Sequence, residues 1–186
     1  EYNFLKLFDL AIPSIIVKEM IDKACFLTAV GFSTTVILRS VFQRDFSTVL
    51  TPLPYDVLKK IENYRSVERN IVLINAKNIE IVTHILRGLD RSHVRGFCIV
   101  IFGVPKKFLS KLYKLKQKTD MCIKVFEFVP HDTLLELLLR SALFIFTSLG
   151  EGMLTLVLEA LALGTPTIVP YVRGCIDLAK LYKLPV

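Results

Sequence analysis

Two carboxylates eight positions apart, Glu151 and Glu159, lie in a segment of unusual composition: S-L-G-E-G-M-L-T-L-V-L-E-A-L-A-L-G-T-P, residues 148–166. An apolar run ends before Ser148, two glycines permit a tight backbone turn, and helical spacing begins near Gly152. Unpaired backbone N–H groups of Gly152, Met153, Leu154 and Thr155 would point out of such a helix start. The helix dipole favours an anion there, phosphate among them. Glu151 stands at the mouth of the turn. Glu159 falls two turns into an apolar helix with no Lys or Arg within four residues on either side, so its carboxylate needs polar partners. Structural roles compete with chemistry: Ser148 and Glu151 fit an S-x-x-E capping box, and Glu159 could accept hydrogen bonds from a neighbouring loop.

These residues need a frame, and the pattern from residue 69 onward supplies one. Apolar runs at 71–75, 97–102, 122–129, 142–147 and 167–170, several of them continuous, read as strands. Helices are expected between them, at 78–90, 106–118, 132–141, 152–163 and 176–183. In the first, Ile79, Val82, Ile85, Leu86 and Leu89 recur at helical spacing. Thr133 with Glu136 offers a capping box to the third, and Gly164 with Pro166 stops the fourth. Apolar strands, several of them unbroken, alternating with helices point to an α/β fold with a doubly wound, five-stranded parallel sheet of Rossmann-like type, covered on both faces. Ligands bind such sheets beyond the carboxyl ends of the strands, where strand order reverses. That points to the loops at 76–78, 103–105, 130–132 and 148–152, with Lys77 and Glu151 flanking the expected reversal. Residues 69–186 are therefore read as one domain. Residues 1–68 are read as an irregular N-terminal extension or the remnant of another domain, with a short strand at 10–13, a helix at 15–26, a strand at 34–38 and a helix at 55–64.

Composition narrows the classes further. The chain has 186 residues, 53% hydrophobic, with only 8 Gly and 8 Pro, which excludes a disordered or low-complexity segment. No apolar run is long enough to span a bilayer. The sequence begins at Glu1 without a signal-peptide pattern and is expected to be a piece of a longer chain or a reduced form. Cys25, Cys98, Cys122 and Cys175 show no C-x-x-C pair or metal spacing, so reduced thiols in a cytoplasmic protein and no metal site are expected. His84 and His93 read as surface residues, and His131 alone falls in a ligand-side loop. The net charge of +7 is concentrated in residues 56–120, which carry 14 basic and 6 acidic groups. Within 13 residues fall Lys106, Lys107, Lys111, Lys114, Lys116 and Lys118. Such a helix is either a solvated outer face or a surface for anionic membrane; nucleic acid is not expected, since no recognition motif is present and the cations are all lysines.

Taken together, Glu151-Gly152, Leu158-Glu159-Ala160 and the closing Gly164-Thr165-Pro166 resemble the donor-site signature of retaining glycosyltransferases with the GT-B fold, most nearly those of family 4. The resemblance covers roughly residues 69–183, including the Phe102-Gly103 strand end. Residues 9–14 and 17–20 more loosely resemble the end of that family's first domain. The resemblance implies the donor half of a GT-B fold that takes a nucleotide-diphosphate sugar, with no further cofactor, and transfers a hexose. Glu151 would be the catalytic-site carboxylate on the donor sugar, the backbone of Gly152, Met153, Leu154 and Thr155 would bind the diphosphate, and Glu159 would receive the ribose hydroxyls. Val129 and His131 would lie beside the base. Lys77 matches the family's diphosphate-neutralising Lys, whereas the accompanying Arg has no counterpart. None of the three histidines fits the catalytic His that the family's first domain supplies. The implied partners are a sugar or lipid-linked acceptor and an acceptor domain from a partner chain or a second copy, in a cytoplasmic protein peripheral to a membrane. The alternative is a catalytically silent Rossmann-like module that binds a protein partner or an anionic membrane surface.

Overall fold

The computed structural model describes residues 14–49, 57, 67–91, 96–150 and 154–183. The expected strand at 10–13, nearly all of the helix at 55–64, His93 and the stretch 151–153 lie outside these residues. In chain order the elements are α1 (Ser14–Lys23), β1 (Thr28–Val30), α2 (Phe32–Phe42), β2 (Ser47–Val49), β3 (Ile71–Asn75), α3 (Ile79–Arg91), β4 (Cys98–Phe102), α4 (Lys106–Lys116), β5 (Cys122–Val125), α5 (His131–Leu139), β6 (Ser141–Ile145), α6 (Thr155–Ala162), β7 (Thr167–Ile168) and α7 (Arg173–Tyr182). They fall into two compact units. One comprises Glu1–Thr51, Gly150–Leu154 and Val172–Val186, and the other Pro52–Leu149 and Thr155–Tyr171.

In the first unit β1 and β2 pair in parallel, joined through α2. The strand expected at 34–38 is instead the body of α2. Its β-branched residues favour a strand only weakly, and local bonds override them. Gly31 turns the chain at φ 84°, a conformation glycine adopts freely, and Thr35 donates from Oγ1 to the Gly31 carbonyl one turn back at 2.9 Å. Arg44 closes the carboxyl end of α1 by donating to the carbonyls of Ile21, Asp22 and Ala24 at 2.8–2.9 Å. At the start of α2, Ser33 donates its backbone N–H (2.8 Å) and its hydroxyl (2.6 Å) to the Asp177 carboxylate of α7, which satisfies a helix N-terminus with an anion. Burial pushes the Cys175 thiol up from its ordinary pKa, partly offset by a backbone hydrogen bond involving Val172, so the thiol stays protonated.

The second unit is a five-stranded, fully parallel sheet of order β5-β4-β3-β6-β7 with a Rossmann-like doubly wound arrangement. Every residue of β3 is buried, as a central strand covered on both faces requires. Val72, Ile74, Ile99, Ile101 and Ile123 form one face, packed with Val82 and Leu86 of α3 and Leu112 of α4. On the alternate positions Leu73 and Phe144 are fully buried, and α5 lies against β3 and β6. Phe144 stacks on Phe102 at 6.4 Å and meets Phe146 edge-on at 6.2 Å. Truncating such a ring to Ala costs about 3–5 kcal/mol.

Details depart from expectation where backbone geometry outweighs local signals. Strand β5 ends at Val125, four residues early, and α5 starts at His131 with Pro130 in the capping position at φ −56°. The Thr133–Glu136 capping box therefore does not form: Thr133 already lies inside the first turn, and Leu134 bonds back to the Pro130 carbonyl at 2.9 Å. Cys98 and Cys122, expected to be reduced, are joined as a disulfide. Parallel pairing sets the two residues directly opposite one another on β4 and β5, a register that a sequence separation of 24 does not disclose. Alkylation of the native chain without reductant is expected to label exposed Cys25 while sparing Cys98 and Cys122 until reductant is added. Equal labelling of all three in peptide mass spectra would contradict the pairing.

Candidate functional site

Strand order reverses between β3 and β6: the chain runs outward from β3 through β4 to β5 on one side and from β6 to β7 on the other. Connections diverge at that point and leave a crevice beyond the strand ends. A single hydroxyl ties its two walls together. Thr147, just past β6, donates from Oγ1 to the Asn75 carbonyl at 2.6 Å and accepts the Asn78 N–H at 3.1 Å. The Asn78 side chain in turn caps α3, accepting the N–H groups of Glu80 and Ile81 at 3.1 Å each. Buried Asn75 accepts the Lys77 N–H at 3.3 Å. Lys77 is thus carried, exposed, on a turn whose neighbours on both sides are fixed to the end of β6.

The helix after β6 holds the second part of the site. Glu159 lies one turn inside α6 at 3% exposure, among Val157, Leu158 and Ala160, which are buried as well. His131, the first residue of α5, donates from Nε2 to Glu159 Oε1 at 3.0 Å, while about half of its own side chain remains exposed. Because an ionised carboxylate only accepts, this bond requires the ring proton on Nε2. Further along, Thr165 donates to the Leu138 carbonyl at 2.7 Å, so α5 and the turn after α6 are fastened to each other. Arg69 donates to the carbonyls of Leu163 (3.0 Å) and Gly164 (2.6 Å), neutralising the negative end of α6.

The structure brings His131 and Glu159 together and places Val129, half-buried, two residues before His131. Thr155 is the first residue of α6, three positions later than the helix start expected at Gly152, and buried Leu154 directly precedes it. Glu151, Gly152 and Met153 lie outside the described residues. Sequence reasoning missed Asn75, Thr147 and Arg69. The signal for the first two was a polar residue at each end of an otherwise apolar strand pattern; Arg69 gave none. Among the described residues no group of three or more His, Cys, Asp or Glu could hold a metal ion. An open groove of about 1070 Å³, lined among others by Asn70, Cys98, Cys122 and Arg140, lies at the opposite, amino-terminal edge of the sheet and is separate from this crevice.

This fold corresponds to a known class. Residues 72–183, more than half of the chain, match the family described as Glycosyl transferases group 1, and the chain belongs to that family. Solved structures of GT-B glycosyltransferases share its fold. WaaG, a glycosyltransferase involved in lipopolysaccharide biosynthesis, superposes with a TM-score of 0.61 at 16% identity, covering 84% of this chain and 47% of its own. A variant of TarM from S. aureus, in complex with fondaparinux, α-GlcNAc-glycerol and UDP, gives 0.62 at 15% identity, with 86% and 32% covered. The pneumococcal O-GlcNAc transferase GtfA, in complex with UDP and GlcNAc, gives 0.54 at 15%, with 81% and 31% covered. The chain thus spans less than half the length of each of these structures. By sequence alone, no curated protein matches it.

Replacing Thr147 by Val keeps the shape but leaves the Asn75 carbonyl and Asn78 N–H without their partner. Thr147→Val is expected to lower unfolding free energy by about 1–3 kcal/mol, whereas Thr147→Ser stays near wild type. Urea melts of the two variants check this; equal midpoints would show that the clamp carries no stability.

Proposed function

We propose that residues 69–186 form the nucleotide-sugar-binding domain of a retaining glycosyltransferase of the family 4 type, transferring a hexose from a nucleotide-diphosphate donor. The observation that carries this reading is the buried Glu159 carboxylate, held by His131 at 3.0 Å in a helix that starts beside the strand-order reversal. A carboxylate offers about four acceptor positions, and His131 uses one. The remaining capacity suits two vicinal hydroxyls of a ribose, an arrangement in which both hydrogen bonds are charge-assisted. Lys77 and the backbone of Gly152, Met153, Leu154 and Thr155 are assigned to the diphosphate, whose negative charge they would balance. The leaving diphosphate gains negative charge as the glycosidic bond breaks, so preorganised donors there lower the barrier. Glu151 is assigned to the hydroxyls of the donor sugar, and the Val129–His131 loop to the base.

No cofactor beyond the donor is invoked. The acceptor, a free sugar or a lipid-linked one, is assigned to a second domain provided by a longer chain, a partner chain or another copy of this one, with residues 1–68 as its remnant or an extension. The setting proposed is cytoplasmic. No helix among the described residues is long and apolar enough to cross a membrane.

Isothermal calorimetry with UDP- and GDP-sugars tests the reading. Saturable binding of one class is expected, and no heat from any nucleotide sugar at millimolar concentration would defeat it and leave a silent binding module. Glu159→Gln removes the charge at constant shape. Hydrogen bonds to a charged group are worth about 1.5–3 kcal/mol, so roughly a 10–100-fold loss of nucleotide affinity is expected with a small change in Tm. A large fall in Tm with intact affinity would assign Glu159 a purely structural role.

A further inference from the structure

The lysine-rich helix α4 takes no part in the site described above, and its surface has a regular pattern. Leu112 is buried, and Phe108, Leu109 and Leu115 pack against the same core, so one side of α4 is fully used by the sheet. On the other side Lys107, Lys111, Lys114 and Lys118 follow at spacings of four, three and four residues. At 100° per residue the three within α4, Lys107, Lys111 and Lys114, stay within an arc of roughly 60° and extend over about 10 Å, and Lys118 follows in the turn after the helix ends at Lys116. All four are exposed. Helix α4 contains no acidic residue, and among the described residues none of the four has a carboxylate at ion-pair distance. Only Lys106, off the stripe, reaches one, Glu127 at 3.8 Å.

Like charges three and four apart on a helix repel and destabilise it. A face needed only for solubility would be served better by interspersed signs. The stripe therefore costs stability until an anionic surface meets it. Its shape selects which surface: a row of cations on the convex side of a straight helix can contact a plane with all members at once, whereas a groove would be needed to follow a nucleic acid backbone.

We propose that the stripe of Lys107, Lys111 and Lys114, continued by Lys118 in the following turn, docks this protein onto an anionic lipid bilayer. Binding is electrostatic and reversible. Each lysine near an anionic membrane surface strengthens adsorption by roughly fivefold, so the four together contribute a several-hundred-fold increase.

Co-sedimentation of the full chain with phosphatidylcholine vesicles, with and without phosphatidylserine, tests this. Retention is expected only with phosphatidylserine, and it should fall as salt shortens the screening length. Replacing Lys107, Lys111, Lys114 and Lys118 together by Gln should abolish retention with unchanged circular dichroism and an equal or higher Tm. Replacing Lys18, Lys180 and Lys183, exposed lysines off the helix, should leave it intact. Calorimetry with nucleotide sugars should be unaffected by the four glutamines, which separates this surface from the donor site. Equal retention on neutral vesicles, full retention by the four-glutamine variant, or tighter binding to polyuridylic acid than to phosphatidylserine vesicles at the same salt would each overturn the proposal.

Discussion

A carboxylate buried in an apolar helix is the constraint on which the organisation of the sheet-bearing unit turns. Glu159 is 97% removed from solvent by its neighbours, as its 3% exposure states, and α6 offers it no cation. An isolated charge in such a position is strongly unfavourable, so another element has to bring a donor. That element is α5, whose first residue is His131. The helix can arrive there because β5 stops at Val125, which leaves a short loop for the return across the sheet. The opposite ends of the two helices are then held by Thr165 on the Leu138 carbonyl, and the carboxyl terminus of α6 by Arg69. Removing a partner from a buried charge costs more than the bond itself contributes, which makes His131 and Glu159 a coupled pair.

The strand-order reversal supplies the second half of the arrangement. Crevices of this kind arise wherever a parallel sheet is wound in both directions, but their walls are made of loops and need fixing. Here Thr147 fixes them, joining the end of β6 to the turn that carries Lys77. A cation on one wall and a carboxylate-bearing helix behind the other are the two charges that a nucleoside diphosphate, anionic at one end and rich in hydroxyls at the other, would require in opposite places. The same chain uses carboxylates and cations to end helices elsewhere, with Asp177 at the start of α2 and Arg44 at the end of α1, so helix-end electrostatics recur in both units.

The sheet was legible in the sequence because its signals are long and mutually consistent. The all-buried β3 reads as an unbroken apolar run, Gly164 and Pro166 end α6 as their backbone preferences demand, and strand–helix alternation leaves little choice of fold. Short elements were not legible. Strands of three residues, β1 and β2, are below the length at which alternation can be recognised, and Thr34–Leu38 outranked them in β propensity while lying in a helix. Within the site, Glu159 announced itself by its apolar neighbours. Its partner did not, since 28 residues separate it from His131 and only the fold joins them. Thr147 and the Cys98–Cys122 pairing depend on register between strands, which the sequence leaves unstated.

The central claim, that the Glu159 carboxylate serves a ribose, is tested most directly by a cycle that changes protein and ligand together. Affinities of wild type and Glu159→Gln would be measured for whichever of UDP and GDP binds better, and for its 2′,3′-dideoxy analogue. If the carboxylate receives the two hydroxyls, wild type should lose roughly 10-fold or more on the analogue, consistent with about 1.5 kcal/mol or more for hydrogen bonds to a charged group, and the variant should show little discrimination. Equal losses on the analogue in both proteins would mean that Glu159 does not contact the ribose.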